Sequence, residues 1–548
     1  MRILLFAPLV IAAQPLCSQT LGLITYDPAY ADGYVLFDPI ASTNTYLIDR
    51  CGREVHAWSS SYQAGLTASL QPDGTMLRAA NTQNLIYNAG GRGGRIERFD
   101  WDGNVVWSYD LSNDTACQHH DFTVLPNGNI LLIAWDRLDS VTAVANGKDP
   151  GATNAWLWSE QLIEIQPSGV SGAEIVWRWR AWDHLVQDFD ADLPNHGVVS
   201  EHPELLDPNF FQGPPNSADW IHLNGVSYNA ELEQVMLSAH GFDETWIIDH
   251  STTTAQAATH AGGAHDHGGD LLYRWGNPRA YQRGTINDQR LFGQHNVSWL
   301  PEGHPQAGRI LVFNNGNGRP GGDYTSVDII EQPVLPDGSY TIAAGEAFGP
   351  LTAAEIYTDT PPSDFYSMAI GGVAPLNNGY MVSDGTGGRF FEVDANGTIV
   401  WEYVNPVDHT GPLTQGTVPD NNQVFRCAFY AEDFAGFTGQ SLVPAAPIEL
   451  EPLEPSLCGS SGIAVDAFRA SLTVFPVPVT DVLHLNNAPS GAAFLHVLEA
   501  TGRSLSLMRV TGQGAFDADV SQASPGMLTL ELMDRDGHVL ARARAVKQ

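Results

Sequence analysis

The sequence predicts an all-β protein, a six-bladed β-propeller followed by a small C-terminal β-sandwich-like domain. Three observations carry that prediction. Two short strand–turn–strand phrases alternate along the first 400 residues. The composition is rich in turn formers and aromatics, with 54 Gly, 34 Pro and 14 Trp in 548 residues. After about residue 440 the repeat stops and a Pro-rich, acidic stretch intervenes. The predicted organisation is a signal peptide over 1–18, the propeller over 19–440, a linker over 441–469 and the C-terminal domain over 470–548. A chain of this length is too long for one ordinary core.

The first phrase ends one strand on an acidic or polar residue, turns at Gly, and puts Trp or Tyr on the next strand. The clearest copies are RIERFDWDGNVVWSYDL (Arg95–Leu111) and RFFEVDANGTIVWEYVN (Arg389–Asn405). Related copies start at Thr45, Gln161 and Thr245, and a degenerate one without Trp spans Ser326–Ile342. The second phrase is SLQPDGTMLRA (Ser69–Ala79), TVLPNGNILLI (Thr123–Ile133) and VAPLNNGYMVS (Val373–Ser383), with looser forms at Ser227–Ser238 and Ser298–Phe313. Period-two apolar runs around Asp-Gly or Asn-Gly are a hairpin signal. Two hairpins make a four-stranded sheet that cannot bury both faces alone, and radial stacking of six such sheets removes the difficulty. The recurring Trp107, Trp177, Trp275 and Trp401 are read as core between neighbouring blades. The stretches 136–158 and 183–220 are read as insertions in end loops. An array of β-sandwiches is the alternative, weakened by the fixed order of the two phrases.

Residues 1–18 combine Arg2, an apolar run Ile3–Ala13 and a short exit at Leu16-Cys17-Ser18, the pattern of a cleaved secretory signal. The run is too short to span a bilayer, and no later stretch reaches 18 apolar residues. Export would leave Cys51, Cys117, Cys427 and Cys458, with three full pairings open. Acidic residues outnumber basic ones 62 to 26, a net charge of −36. That excludes a nucleic-acid or anionic-membrane partner, which needs Lys and Arg in excess.

Histidine, 18 in the chain, is the unusual polar residue. QHHDFTVLPNGN places His119, His120 and Asp121 at a strand entry. DWIHLNGVSYN places His222 and Asn224 at the next such entry, and FGQHNVSWLPEG places His295 at the one after. FNNGNGRPGG then brings Asn315 and Arg319 on a Gly-rich turn. Entries of successive blades converge on one end of a propeller axis, so His120, His222, His295 and Arg319 are candidate catalytic residues. His119, Asn224 and Asn315 are candidate substrate-binding residues. The structural alternatives are backbone hydrogen bonding by the histidines and an inter-blade salt bridge by Arg319. HAGGAHDHGGD (His260–Asp270) has enough ligands for Zn or Ni, yet its Gly-rich spacing reads better as a solvated hairpin loop, and no metal site is assigned. DWDG (Asp100–Gly103) reads as a blade turn rather than a Ca site.

In this order the H-H-D…P-N-G-N, D-W-x-H-x-N, Q-H and F-x-N-G-x-x-R phrases resemble the arylsulfate sulfotransferase family over roughly residues 20–440. The resemblance implies a six-bladed propeller that moves a sulfuryl group from an aryl sulfate to a phenolic acceptor through a histidine, with no nucleotide donor, cofactor or metal. Residues 470–548, with LTVFPVPVTDVLHL and a basic last strand, resemble the C-terminal sorting domain of the type IX secretion system of Bacteroidetes, although Val477 stands where that family usually has Asn. This implies the type IX machinery as a partner and a secreted or cell-surface location.

Sulfuryl transfer spreads negative charge over equatorial oxygens and needs fixed positive donors. With a chain charge of −36, those donors must form a local positive island. Guanidinium offers two prongs to two oxygens, a neutral imidazole can attack sulfur, and a second imidazole can move the phenol proton. The resembling family places its nucleophilic histidine after the Arg phrase. Here the corresponding Phe365–Gly379 contains none, and the next is His409, so the nucleophile is left open between His409 and the earlier histidines. A glycan- or protein-binding propeller, and a hydrolase or lyase of sulfated polysaccharide, are the competing functions.

Overall fold

The structure, a computed structural model, describes residues 19–30, 32–213, 217–453 and 458, and from the C-terminal part 473–475, 478–486, 492–499, 504–510, 516–533, 535 and 539–548. The predicted signal peptide and most of the predicted linker lie outside these residues. The chain divides into two compact units, residues 1–458 and 459–548.

The first unit is mainly β, with six antiparallel sheets of four or five strands and one two-stranded hairpin among the described residues. Sheet one joins Tyr34–Pro39, Asn44–Asp49 and Glu54–Ser59 to the late strand Val424–Tyr430. Sheet two is Ala64–Leu70, Met76–Asn81, Gly94–Phe99 and Val105–Asp110. Sheet three is Ala116–Val124, Ile130–Asp139, Trp156–Pro167 and Ala173–Arg180. Sheet four is Leu223–Asn229, Gln234–Ala239, Glu244–Asp249 and Leu271–Trp275; sheet five is His295–Trp299, Ile310–Asn314, Ser326–Ile330 and Ala354–Tyr357. Sheet six is Gly372–Leu376, Gly379–Asp384, Arg389–Asp394 and Ile399–Val404, extended at its edge by Gly22–Tyr26. One strand of each sheet packs against its counterpart in the next. This sequence of contacts runs from Ala64–Leu70 through Gly372–Leu376 to Val424–Tyr430 and back to Ala64–Leu70, so the inner strands close a ring.

Two sequence features build this arrangement. Turn aspartates cap their own hairpins: Asp100 Oδ1 accepts from Asn104 N at 2.8 Å, and Asp394 Oδ1 from Thr398 N at 2.8 Å, while Gly103 and Gly397 take positive φ. The repeated tryptophans then tie each sheet to the next. Trp58 Nε1 donates to Asp100 O (3.0 Å), Trp107 to Gly172 O (2.9 Å), Trp177 to Thr252 Oγ1 (3.2 Å), Trp275 to Pro350 O (2.6 Å) and Trp401 to Arg50 O (2.7 Å). The last bond links sheet six to sheet one. Tyr357 takes the place of Trp at the five–six junction and packs on Phe391. Buried ion pairs reinforce the same seams: Arg78 with Asp38 between sheets two and one (2.9 Å), and Arg50 with Glu392 between sheets one and six.

Three expectations need amendment. The degenerate copy pairs Ser326–Ile330 with Ala354–Tyr357 rather than with its own second half, leaving only a bridge between Val334 and Tyr340. The two ends of the expected loop 136–158 are strand, because the hairpin Ile130–Asp139/Trp156–Pro167 runs out to Asp139 and Trp156, and only the stretch between them is a loop. The described part of the expected linker is docked rather than free. Ala445 N donates to Glu54 O (2.7 Å) and Gln415 N to Leu450 O (2.8 Å), and Cys458 is bonded to Cys51. Cys117 and Cys427 are free and buried.

The second unit has a three-stranded sheet (Thr473–Phe475, Val482–Asn486, Phe516–Asp519) and a four-stranded one (Ser504–Arg509, Phe494–Glu499, Gly526–Met533, Val539–Lys547). Leu483 and Leu485 from one, and Leu495, Val497, Leu528 and Leu530 from the other, share one apolar core. Among the described residues no helix is long and apolar enough to cross a membrane.

Candidate active site

The inner strands of sheets three, four and five begin irregularly. Pairing registers shift between Leu132 and Ala134, between Leu223 and Gly225, and between His295 and Val297. His120, His222 and Asn296 sit at φ of 49°, 55° and 47°, a left-handed backbone that side chains other than Gly rarely adopt. Bulges of this kind bend a strand and re-aim its side chains. Here they turn imidazoles toward one another. His120 and His222 lie 4.6 Å apart by ring centroid, His222 and His240 5.2 Å, and His240 and His295 5.4 Å. Phe425, on the late strand of sheet one, is 6.3 Å from His295 and 6.0 Å from His120. Four imidazoles and one phenyl ring therefore form a closed circle.

Each imidazole has a distinct protonation environment. Asn315 donates its amide hydrogens to Ser367 O (2.9 Å) and Ile370 O (2.8 Å), which leaves Oδ1 facing His295 Nδ1 at 2.9 Å; Gly293 O is 3.2 Å away. Nδ1 of His295 is therefore the donor, and Nε2 keeps its lone pair. Burial lowers the His295 pKa to about 4, aided by the charges of His222 and Arg426 and opposed by the bonds from Asn315 and Gly293. At His222, burial pulls down, but the charge and hydrogen bond of Asp219, 2.5 Å from Nδ1, outweigh it and raise the pKa. Asp219 is itself held by Trp135 Nε1 at 3.1 Å. Burial pushes His240 well down, with the neighbouring His222 and His295 adding to the effect.

Behind the circle runs a buried chain. Glu160 lies 2.9 Å from His119 Nε2, and His119 Nδ1 lies 2.7 Å from His120 Nδ1. Burial, together with the charges of Asp219 and Asp136, pushes the Glu160 carboxyl well above its usual range, against the pull of the Leu223 and His222 N–H groups. His119 and His120 are both driven well down, chiefly by burial. With Glu160 protonated, it donates to His119 Nε2, His119 Nδ1–H donates to His120 Nδ1, and a neutral His120 presents Nε2–H; with Glu160 ionised, both bonds run the other way and His120 Nε2 is left bare.

The cation beside the circle is Arg426, next to Phe425. Its Nη2 pairs with Asp121, whose carboxylate also accepts from Thr67 Oγ1 (2.9 Å) and Val226 N (3.0 Å). Its Nη1 is buried and has no partner.

Of the residues singled out from the sequence, His120, His222 and His295 are in the circle. His119 lies behind it. Asn315 orients His295, and Asn224 bonds Gln294 O at 2.8 Å, between sheets four and five. Arg319 bonds Ser326 Oγ at 2.9 Å, stacks on Tyr324 at 3.9 Å and lies 3.7 Å from Glu355. Arg319 Nε is buried without a partner. His409 is exposed on the Val407–Asp408/Gly411–Pro412 hairpin, with Asp408 at 3.9 Å. His240, Arg426, Glu160 and Asp219 were not picked out beforehand. Asp219 was visible three residues before His222; Arg426 stands alone in a late strand with no motif around it.

No curated protein matches the chain. Solved structures that resemble it include a protein of unknown function from Bacteroides caccae, 10% identical, covering 73% of this chain and 100% of its own, with a TM-score of 0.37. Another is virginiamycin B lyase from Staphylococcus aureus, 12% identical over 72% of this chain and 87% of its own, with a TM-score of 0.32. Residues 25–392, two thirds of the chain and all but Phe425 and Arg426 of the site described above, match the family Arylsulfotransferase (ASST). The chain belongs to the arylsulfotransferase family.

Proposed function

We propose that this protein transfers a sulfuryl group from an aryl sulfate to a phenolic acceptor through a covalent histidine intermediate, with His295 as the nucleophile. The observation that carries the assignment is the pairing of a bare Nε2 on His295 with the raised pKa of His222 two rings away. In the first step His295 Nε2 attacks sulfur as the bond from sulfur to the aryl oxygen breaks. The departing oxygen takes the proton of His222 Nε2, and Asn315 Oδ1 stabilises the positive charge that develops on the His295 ring. In the second step the acceptor phenol returns a proton to His222 while its oxygen attacks sulfur, and the S–N bond breaks. On this reading Arg426 Nη1 and His120 Nε2–H receive the equatorial oxygens, the local positive island that a chain of charge −36 requires.

On this reading the six sheets are the blades of a six-bladed propeller, with the circle of rings around its axis. Residues 1–18 serve as a secretory signal, and the second unit is a sandwich-like sorting domain that delivers the enzyme to the cell surface or medium.

The test incubates purified protein with 4-nitrophenyl sulfate, with and without phenol, and searches acid-labile peptides for sulfohistidine. Phenol-dependent nitrophenol release, with the modified peptide containing His295, is expected. His295→Ala abolishes both. Phenol-independent release of sulfate marks a sulfatase, and no turnover with any donor marks a binding propeller; either overturns the proposal.

A further inference from the structure

Outside the histidine circle, a second group of ligand atoms converges between sheets three and four. His184 follows the last strand of sheet three, and His260 and Asp270 come from the loop before the last strand of sheet four. His184 Nδ1 and His260 Nδ1 lie 2.7 and 2.8 Å from the same oxygen, Oδ1 of Asp270, and all three ligand atoms fall within 4.8 Å of one another. His184 is fully buried, and its Nε2 donates to Ala257 O at 2.9 Å. That bond fixes the hydrogen on Nε2 and leaves a neutral His184 with its Nδ1 lone pair aimed at a carboxylate oxygen. The His184 lone pair and the anion cannot face each other at this distance without positive charge between them, so the pair needs either an extra proton or a cation, while the exposed His260 can face the same oxygen either as a neutral Nδ1–H donor or with its own lone pair. A histidine whose second nitrogen is anchored to a backbone carbonyl is also the usual setting of a metal-bound imidazole.

The loop is built to hold this geometry. A Cβ on Gly269 would lie 2.2 Å from Ala257 O and 2.6 Å from His184 Nε2, and one on Gly268 would lie 2.0 Å from Thr259 O. Trp179 Nε1 pins Gly269 O at 2.7 Å, and the Trp179 ring stacks on His184. The loop expected from sequence to be a solvated hairpin is thus folded tightly around a histidine 76 residues earlier in the chain. Its other histidines are not part of the group; His265 faces Gln234.

We propose that His184, His260 and Asp270 bind one divalent transition-metal ion of the zinc class, which ties sheet three to sheet four. Two imidazole nitrogens and one carboxylate oxygen suit Zn²⁺, with water completing a tetrahedron on the side where His260 is exposed; Ca²⁺ and Mg²⁺ take oxygen ligands. Ligand–ligand distances in such a tetrahedron are about 3.3 Å for bonds of about 2.0 Å, reached by an outward movement of the exposed His260 together with a shift of the Asp270 carboxylate away from the buried His184. The site is independent of the proposed sulfuryl transfer.

The test strips the full chain with chelator and titrates it with Zn²⁺ by equilibrium dialysis and metal analysis, following the melting temperature alongside. The expected result is one tight equivalent and a raised melting temperature, with a tetrahedral visible spectrum when Co²⁺ replaces Zn²⁺. His260→Ala, a change on an exposed ring, loses that equivalent and the thermal shift with an unchanged circular-dichroism spectrum, whereas His267→Ala in the same loop keeps both. Absence of a stoichiometric equivalent, binding undiminished in His260→Ala, or equal loss in both variants overturns the proposal.

Discussion

Asp219→Asn separates the acid role of His222 from a purely structural one. The substitution keeps the size of the side chain and an oxygen for Trp135, but it removes the charge 2.5 Å from His222 Nδ1. A hydrogen bond to a charged group contributes about 1.5–3 kcal/mol. The proton that His222 gives to the leaving phenolate is held by that interaction, so its loss corresponds to about a 10- to 150-fold fall in kcat. The fall depends on the leaving group. Phenyl sulfate, whose phenolate needs protonation, shows the full effect, and 4-nitrophenyl sulfate shows little. The pH profile moves with a defined sign. Activity needs His222 protonated and His295 neutral, so the acid limb follows His295, near pH 4, and the alkaline limb follows His222. Asp219 raises the His222 pKa, so removing its charge moves the alkaline limb to lower pH and leaves the acid limb in place. The assay is steady-state transfer to phenol across pH 4–9 with both donors. Equal losses for the two leaving groups, together with an unmoved alkaline limb, refute the reasoning.

Arg426→Gln lowers kcat by about 10²–10³-fold, the usual loss for one oxyanion donor, with partial recovery in Arg426→Lys, while Arg319→Gln leaves kcat essentially unchanged; steady-state kinetics of the three variants checks this. Trp401→Phe removes the indole bond to Arg50 O and strands a buried carbonyl, destabilising the fold by about 1–3 kcal/mol in denaturant titration. Replacing Cys51 and Cys458 by Ser frees the far end of the first unit and lowers stability by about 2–4 kcal/mol, seen as a lower melting temperature that added reductant no longer changes.

The sheets were legible because their signals are local. Asp-x-x-Gly turns and alternating apolar residues specify hairpins within a dozen residues, and Trp recurs at five of the six outer strands. Where the degenerate copy lacked Trp, the partner strand was misplaced, since Ala354–Tyr357 carries no such mark. In the site, His120, His222 and His295 could be read because each stands in a distinctive phrase in or next to an inner strand. Arg426 could not, because its meaning depends on a strand that returns across some 360 residues to complete the first sheet. His184 and Asp270 are likewise joined only by the packing of two sheets.

The strand Val424–Tyr430 does two jobs at once. It supplies the missing strand of sheet one and shuts the ring, and it carries both Phe425 and Arg426 to the histidines. A chain emerging from its N-terminus has all four imidazoles long before it has the guanidinium. Under the proposed mechanism, catalytic competence would then coincide with topological closure, and turnover would report whether the ring has been latched.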